Sequence, residues 1–154
     1  MIGCSPLCPM KKLIIFDFNR TLFDPDAGKL FDSALEVLRA LKDSGARLFL
    51  IGKGMKEREN LIYDLGLDRF FEKIILKEEK EIGDFEMIRK LAEEGDELFS
   101  VGDRIKKEIT LSNLCGFKTI WFQNGKFSTE VPESEMEKPW KTIEALGELM
   151  GILA

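Results

Sequence analysis

The chain has 154 residues and a mass of 17.6 kDa, with 23 basic against 28 acidic side chains and a net charge of −5. That length fits one domain with a sizeable core, and the acidic balance, with no Lys/Arg tract set apart from neighbouring Glu or Asp, disfavours binding to a nucleic acid backbone or an anionic membrane. No apolar run approaches the roughly 20 residues that span a bilayer, and the absence of histidine excludes an imidazole-based triad and the commonest zinc sites, so carboxylates, lysines and a hard metal must carry any chemistry.

Residues 1–10 contain Pro6 and Pro9 and are too short and too broken for a secretory segment. They are expected to be an unstructured leader, with one folded domain over 11–154. Cys4, Cys8 and Cys115 are odd in number and irregularly placed, which points to a reducing, cytoplasmic compartment, with Cys115 a small apolar residue near a helix end. A metal held by Cys4 and Cys8 is disfavoured without histidine or a second cysteine pair. Heavy use of Glu and Lys with a single Gln is the compositional drift of thermophiles.

Leu13-Ile14-Ile15-Phe16 is a short apolar run that stops on Asp17, the pattern of a buried strand that delivers one charged side chain to the rim of a sheet. Apolar residues at Leu30, Phe31, Ala34, Leu35, Leu38 and Leu41 then follow helical spacing up to Gly45. Arg47 to Ile51 is a second strand, closed by Gly52-Lys53-Gly54, and Lys56 to Leu65 an amphipathic helix ending at Gly66. Lys73 to Leu76 reads as a third strand, and Phe85 to Leu91 as a helix running on to Gly95. Glu97 to Val101 is a fourth strand, Ile105 to Leu114 a helix, and Phe117 to Phe122 a fifth strand. Pro139 to Leu149 is expected to close the domain as a helix with proline in its first turn. Such alternation means crossover units: a doubly wound, Rossmann-like α/β domain with a parallel sheet of about five strands and helices on both faces.

In such a sheet ligands bind outside the carboxyl ends of the strands, where strand order reverses. The residues that follow the strands are Asp17 and Asn19, Gly52 and Lys53, Lys77 and Lys80, and Gly102-Asp103. Mg²⁺ needs only one or two carboxylates when a phosphate completes its oxygen shell, and Asp17 and Asp103 can supply them. A neighbouring lysine, Lys80 or Lys77, would neutralise phosphate oxygens and keep Asp17 ionised. Asp17 can then attack phosphorus and form an aspartyl-phosphate that water cleaves; the plainer alternative is that Asp17 caps the turn after its strand.

With Gly102-Asp103 followed by an acid at Glu108, the sequence resembles the haloacid dehalogenase superfamily of phosphatases. That family's first motif, an apolar strand followed by DxDxT, is matched by Asp17-Phe18-Asn19-Arg20-Thr21, and its GDxxxxD motif by Gly102-Asp103 with Glu108. The resemblance runs from about Lys12 to Phe122. It implies that Asp17 is nucleophile and Mg²⁺ ligand, Asn19 a ligand through its backbone carbonyl, and Asp103 the other carboxylate ligand. Lys80 would stabilise the nucleophile and the transferring phosphoryl group, with Lys77 the alternative. Glu108 either orients the metal's water ligands or, as the commoner case, is a solvated helix residue.

Two residues depart from that pattern. Asn19 stands where the family's general acid/base Asp is usual, and a carboxamide does not titrate in this range. Gly52 stands where a Ser or Thr is usual, leaving a backbone amide and the adjacent Lys53 for the phosphate, unless Gly52-Lys53-Gly54 is simply a turn needing positive φ. The reading is therefore a slow Mg²⁺-dependent phosphatase acting on a phosphomonoester or acyl phosphate; the alternative is a non-catalytic phosphate- or metal-binding or interaction module. Only one helix lies between Thr21 and the second strand and one more before the third, so no cap domain is expected in either place. An uncovered site admits large phosphorylated substrates or is covered by another subunit of a homo-oligomer, for which Trp121, Phe122, Phe127 and Trp140 offer a contact, or else these four pack an ordinary sheet edge.

Overall fold

A computed structural model describes residues 11–154; the expected leader, with Cys4 and Cys8, lies outside them. Strand β1 (Lys12–Phe16) is buried on both sides, and consecutive side chains supply two separate cores. Ile14 and Phe16 face one, with Leu48, Leu50 and Val101, and Leu13 and Ile15 face the other, with Phe49 and Ile51. Alternation of side chains across a pleated strand covered on both faces is why the run reads as uninterrupted apolar sequence rather than as apolar and polar in turn.

β4 (Arg47–Lys53), β5 (Lys73–Lys77), β6 (Glu97–Gly102), β7 (Lys118–Phe122) and β8 (Lys141–Ile143) complete an all-parallel sheet in the order β5-β4-β1-β6-β7-β8. The chain winds from β1 through β4 to the β5 edge, then crosses back to pair β6 on the other side of β1. Right-handed crossovers require helices to change face when the winding direction changes. Accordingly α1 (Ala34–Asp43), α2 (Lys56–Asp64) and the closing α5 (Leu149–Leu153) cover the Ile14 face, whereas α3 (Ile82–Arg89) and α4 (Thr110–Leu114) cover the Leu13 face. The reversal beside β1 puts the end of that strand at the switch point, where doubly wound sheets bind ligands.

Three elements differ from expectation. Leu30 belongs not to the first helix but to a small antiparallel ribbon, β2 (Phe23–Asp24) with β3 (Lys29–Leu30), and α1 starts only at Ala34. The helix expected from Ile105 to Leu114 has the right extent, but its first turn, Ile105–Ile109, is π-helical. The closing helix expected over Pro139 to Leu149 is instead strand β8, the sixth of the sheet, followed by a 3₁₀ turn (Leu146–Glu148) and α5. The Trp140 amide bonds Thr119 O at 2.8 Å and the Gln123 amide bonds Ile143 O at 2.9 Å. Thr142 and Ile143 favour a pleated strand; Ile143, Leu146, Leu149 and Leu153 are all buried, and this spacing mimics a helix although three elements deliver them. Among the described residues no helix is long and apolar enough to cross a membrane.

Candidate active site

Asp17 follows β1 directly, and its backbone N–H bonds Val101 O on β6 at 3.0 Å. After it the chain folds tightly around one carbonyl: Phe18 O accepts the amides of Thr21, Leu22 and Phe23 at 2.9–3.2 Å. That turn puts Arg20 in the left-handed region at φ 62, held by Asn124, whose amide nitrogen donates to Arg20 O at 2.9 Å. It also returns Thr21 to the strand end, where Oγ1 donates to Asp17 Oδ2 at 3.2 Å.

The other carboxylate oxygen, Asp17 Oδ1, lies 2.5 Å from Lys80 Nζ. Lys80 also donates to Glu108 Oε1 at 3.0 Å. Glu108 turns its second oxygen toward the backbone and accepts the amides of Asp103 at 3.1 Å and Arg104 at 2.9 Å. Its partners explain why Glu108 is buried rather than a solvated helix residue, and the π-helical turn supplies the wider loop that brings it inward. Gly102 leaves the room: a Cβ there would collide with the Glu108 side chain.

Asp17, Asp103 and Glu108 offer ligand atoms within 4.8 Å of one another at 6%, 3% and 3% exposure. Burial and then the Asp17 and Glu108 charges push the Asp103 carboxyl up to about 10. Burial and Glu108 raise Asp17 against the pull of Lys80. Burial works against the Lys80 ammonium, but the two carboxylates beside it hold its pKa above the ordinary value. Glu108 is held below its ordinary range despite burial, chiefly by Lys80. Asp103 Oδ2 is buried with no hydrogen-bond partner among the described residues, while Asp103 O accepts the indole N–H of Trp121 at 2.8 Å. Three carboxylates facing one ammonium, with an oxygen left unpaired, form a donor set that fits a hard divalent cation.

These groups line one cavity of about 170 Å³. Asn19 and Lys53 line it as well; Gly52 and Lys77 do not. Gly52 is the penultimate residue of β4, where a Cβ would meet Leu76 Cδ2 at 3.1 Å, so its smallness serves sheet packing. The positive φ of this segment belongs to Gly54, at φ 146. Lys77 pairs instead with Glu81 at 3.1 Å and Asp84 at 3.2 Å, and Asp84 accepts the Glu81 amide at 2.9 Å, fixing the start of α3. Of the two lysines, Lys80 is the one that reaches Asp17.

Sequence reasoning did not single out Arg20, Glu79, Arg104 and Lys107, which line the cavity together with Phe127, a residue expected instead at a subunit contact. Adjacency to Asp103 could have flagged Arg104; nothing local flags Phe127, which arrives from the polar stretch after β7. Of the aromatic residues expected at a subunit contact, Trp121 and Phe122 are buried within the chain, and Trp140 is 43% exposed between Lys118 and Lys141.

No protein-family model matches the chain. It is 27% identical over 136 residues, 79% of this chain and 58% of the relative, to a glyceraldehyde 3-phosphate phosphatase of Methanopyrus kandleri. It is 33% identical over 107 residues, 60% of this chain and 42% of the relative, to a glyceraldehyde 3-phosphate phosphatase of Pyrococcus abyssi. The chain thus spans about half the length of the curated relatives it matches. In structure it is similar to D,D-heptose 1,7-bisphosphate phosphatase from B. bronchiseptica complexed with magnesium and phosphate, with a TM-score of 0.74, 15% identity and coverage of 92% of this chain and 97% of that one. It is also similar to a HAD phosphatase from Thermococcus onnurineus, with a TM-score of 0.67, 21% identity and coverage of 82% and 59%. The strand order, the helices on both faces and these likenesses agree on one architecture: the chain has the haloacid dehalogenase-like fold.

Proposed function

We propose that this chain is a Mg²⁺-dependent phosphatase that acts through an aspartyl-phosphate on Asp17, with slow turnover. The observation that carries the reading is Lys80 Nζ at 2.5 Å from Asp17 Oδ1, in a cavity that Asp103 and Glu108 share. The names of the sequence relatives support it. In this reading the cation is held by Asp17, Asp103 and the backbone carbonyl of Asn19, and it supplies charge neutralisation for the phosphoryl oxygens and the clustered carboxylates.

An Asp17 oxygen attacks phosphorus, the bond from phosphorus to the leaving oxygen breaks, and that oxygen departs with the electron pair. Lys80, fixed between Asp17 and Glu108, stabilises the charge on the transferring group. Thr21 and Lys80 together hold the carboxylate in one orientation. The leaving group must take its proton from solvent, because the Asn19 carboxamide has no proton to give at this pH. Water then attacks phosphorus, the bond from phosphorus to the Asp17 oxygen breaks and returns the carboxylate, and the water's proton passes to solvent, again without a base at position 19. An acyl phosphate or phenolic ester, whose leaving group needs little protonation, suits such a site best.

Between β1 and β5 the chain has the β2–β3 ribbon, α1, β4, α2 and a 3₁₀ turn (Asp68–Phe70), which fits a site without a cap. The volume of about 170 Å³ favours a small phosphorylated compound over the large ones that an uncovered mouth would admit. The second reading, a phosphate- or metal-binding module that does not turn over, is favoured by Asn19 alone. Mg²⁺-dependent release of 4-nitrophenol from 4-nitrophenyl phosphate, abolished in Asp17→Asn, is the expected result; wild-type protein without release at any Mg²⁺ concentration would rule the enzyme out.

A further inference from the structure

We propose that the mouth of the Asp17 cavity is a second anion site, formed by Lys53, Arg104 and Lys107 with Glu79 occupying it in the free chain. The preferred substrate is then a small phosphomonoester that carries another anionic group, carboxylate or phosphate, a few bonds from the scissile phosphoryl. This rests on the reading of Asp17 and Lys80 as the phosphoryl site, because it is the distance from that site that defines the mouth.

The cavity has two electrostatic layers. At its base Lys80 bonds the Asp17 and Glu108 carboxylates with the Asp103 carboxyl beside them, so the base has no surplus positive charge until a cation binds. Toward the mouth the balance shifts: Lys53 and Lys107 line the cavity against the single acid Glu79, with Arg20 and Arg104 beside them already paired to Asp26 and Glu130 outside the lining. The phosphoryl group has Lys80 and the cation for its own charge, so the outer cations are surplus to it.

Glu79 shows what these cations accept. It pairs with Lys107 Nζ and lies 3.9 Å from Lys53 Nζ, one lysine from the end of β4 and the other from the π-helical turn. Lys107 holds the Glu79 carboxyl below its ordinary range. Lys53, Glu79 and Lys107 are 68%, 52% and 38% exposed, and ion pairs this accessible to water are weak. A ligand anion can therefore take the place of Glu79 at little cost, and the next residue, Lys80, already grips Asp17.

Arg104 adds a cation that does not need to be recruited. Its guanidinium lies 4.0 Å over the Phe127 ring, Nη2 donates to Glu130 Oε2 at 3.2 Å, and Nε is buried with no partner among the described residues. Stacking and the Glu130 bond fix the plane of the group, so its charge stands at the cavity wall without reorganisation. The cavity of about 170 Å³ is below the usual range for drug-sized ligands, so both anionic groups must belong to one short molecule.

The test compares kcat/KM for Mg²⁺-dependent phosphate release from compounds of equal chain length. Glycerol 3-phosphate and glyceraldehyde 3-phosphate carry one anionic group, 3-phosphoglycerate adds a carboxylate, and propane-1,3-diol bisphosphate adds a phosphate. At least one two-anion compound is expected to be preferred by roughly tenfold, the size of one extra charge-assisted hydrogen bond made by that substrate alone, and the better of the two identifies the second group. Lys107→Ala should bring that ratio to within about twofold, whereas Glu79→Gln, which removes the competing carboxylate, should widen it. Equal values across the panel, or a ratio unchanged in Lys107→Ala, overturn the proposal. Calorimetry on Asp17→Asn protein with Mg²⁺ separates the two readings. If the wild-type protein releases no phosphate from any compound, tighter binding of a two-anion compound to the Asp17→Asn protein supports the mouth site while the catalytic reading falls, and equal affinities overturn the mouth site whether or not the enzyme is active.

Discussion

Asn19 lines the same cavity as Asp17, so the position is right for a general acid and the chemistry is wrong. A positioned acid or base contributes typically 10²–10⁴-fold to rate, and both steps of phosphoryl transfer through Asp17 would use one. Asn19→Asp is therefore expected to raise kcat on an alkyl phosphate by about 10²-fold or more, with a smaller gain on 4-nitrophenyl phosphate, whose leaving group departs without help. Steady-state kinetics on both esters checks this. A gain confined to the alkyl ester places the defect in protonation; no gain on either places it in geometry. Because the second step also lacks its base, the wild-type protein should accumulate phosphoaspartate. Mass spectrometry after acid quench should find the added phosphate on Asp17, and Asn19→Asp should lower that population.

The element that shapes the site is the junction of β6 with the π-helical turn. Glu108 reaches under this junction to bind the amides of Asp103 and Arg104 and the ammonium of Lys80, and it can do so only because residue 102 has no side chain. In Gly102→Ala the new methyl would meet Glu108 Oε2 at 2.8 Å and Cδ at 2.9 Å as well as the chain below them. Overpacking of this kind costs about 1–3 kcal/mol, and here it also displaces the group that holds Lys80. Urea denaturation should show a lower midpoint at unchanged m-value, and stabilisation by Mg²⁺ should shrink along with it. This junction also marks how far the sequence can be read. Strands β1 and β4 are legible because burial on both faces makes each an apolar run ended by a polar turn, and β5, β6 and β7 carry the same pattern in shorter runs. Asp17, Asp103 and Lys53 are legible because a doubly wound sheet gathers strand ends at one edge. Burial of Glu108 is not, since it depends on a widened helical turn that no local pattern encodes. Lys77 can be separated from Lys80 only by the Glu81 and Asp84 side chains that claim it. Strand β8 escapes the sequence because three residues at a sheet edge carry too short a period to outweigh the helix-like spacing of Ile143, Leu146 and Leu149. Gly52 has the chain position of a ligand-facing residue, yet its neighbours in space are Leu76, Leu50 and Phe18.

At the scale of the whole molecule the acidic cluster couples stability to pH and to metal. The Asp103 carboxyl rises from 3.8 to about 10 on folding, first through burial and then through Asp17 and Glu108, and Asp17 is raised as well. A group whose pKa is raised in the folded state stabilises fully below its unfolded value and loses that contribution as pH climbs toward the folded value. The metal-free protein should therefore lose stability steadily between pH 6 and pH 9. The other members of the cluster do not blur this window: Glu108 is held below its ordinary value and Lys80 above its own, so neither changes charge there. The chain also has no histidine to titrate in the interval. A divalent cation held by the cluster would reverse the slope, because it would bind the deprotonated carboxylates and displace the Asp103 proton. A ligand present at 100 times its Kd stabilises by about 2.7 kcal/mol, and Mg²⁺ approaches that limit more readily as the pH rises. Thermal melts at pH 6 and pH 8.5, with EDTA or with excess Mg²⁺, should show a small metal-induced rise in Tm at the lower pH and a large one at the higher. Asp103→Asn removes a carboxyl that must keep its proton in the folded state at this pH, so this variant should melt higher than wild type in EDTA at pH 8.5, by on the order of 0.5–2 kcal/mol, and gain little from Mg²⁺. A metal-free wild type whose Tm does not fall over this interval, or an Asp103→Asn protein that still gains as much from Mg²⁺ as wild type, would mean that the cation does not sit between Asp17 and Asp103.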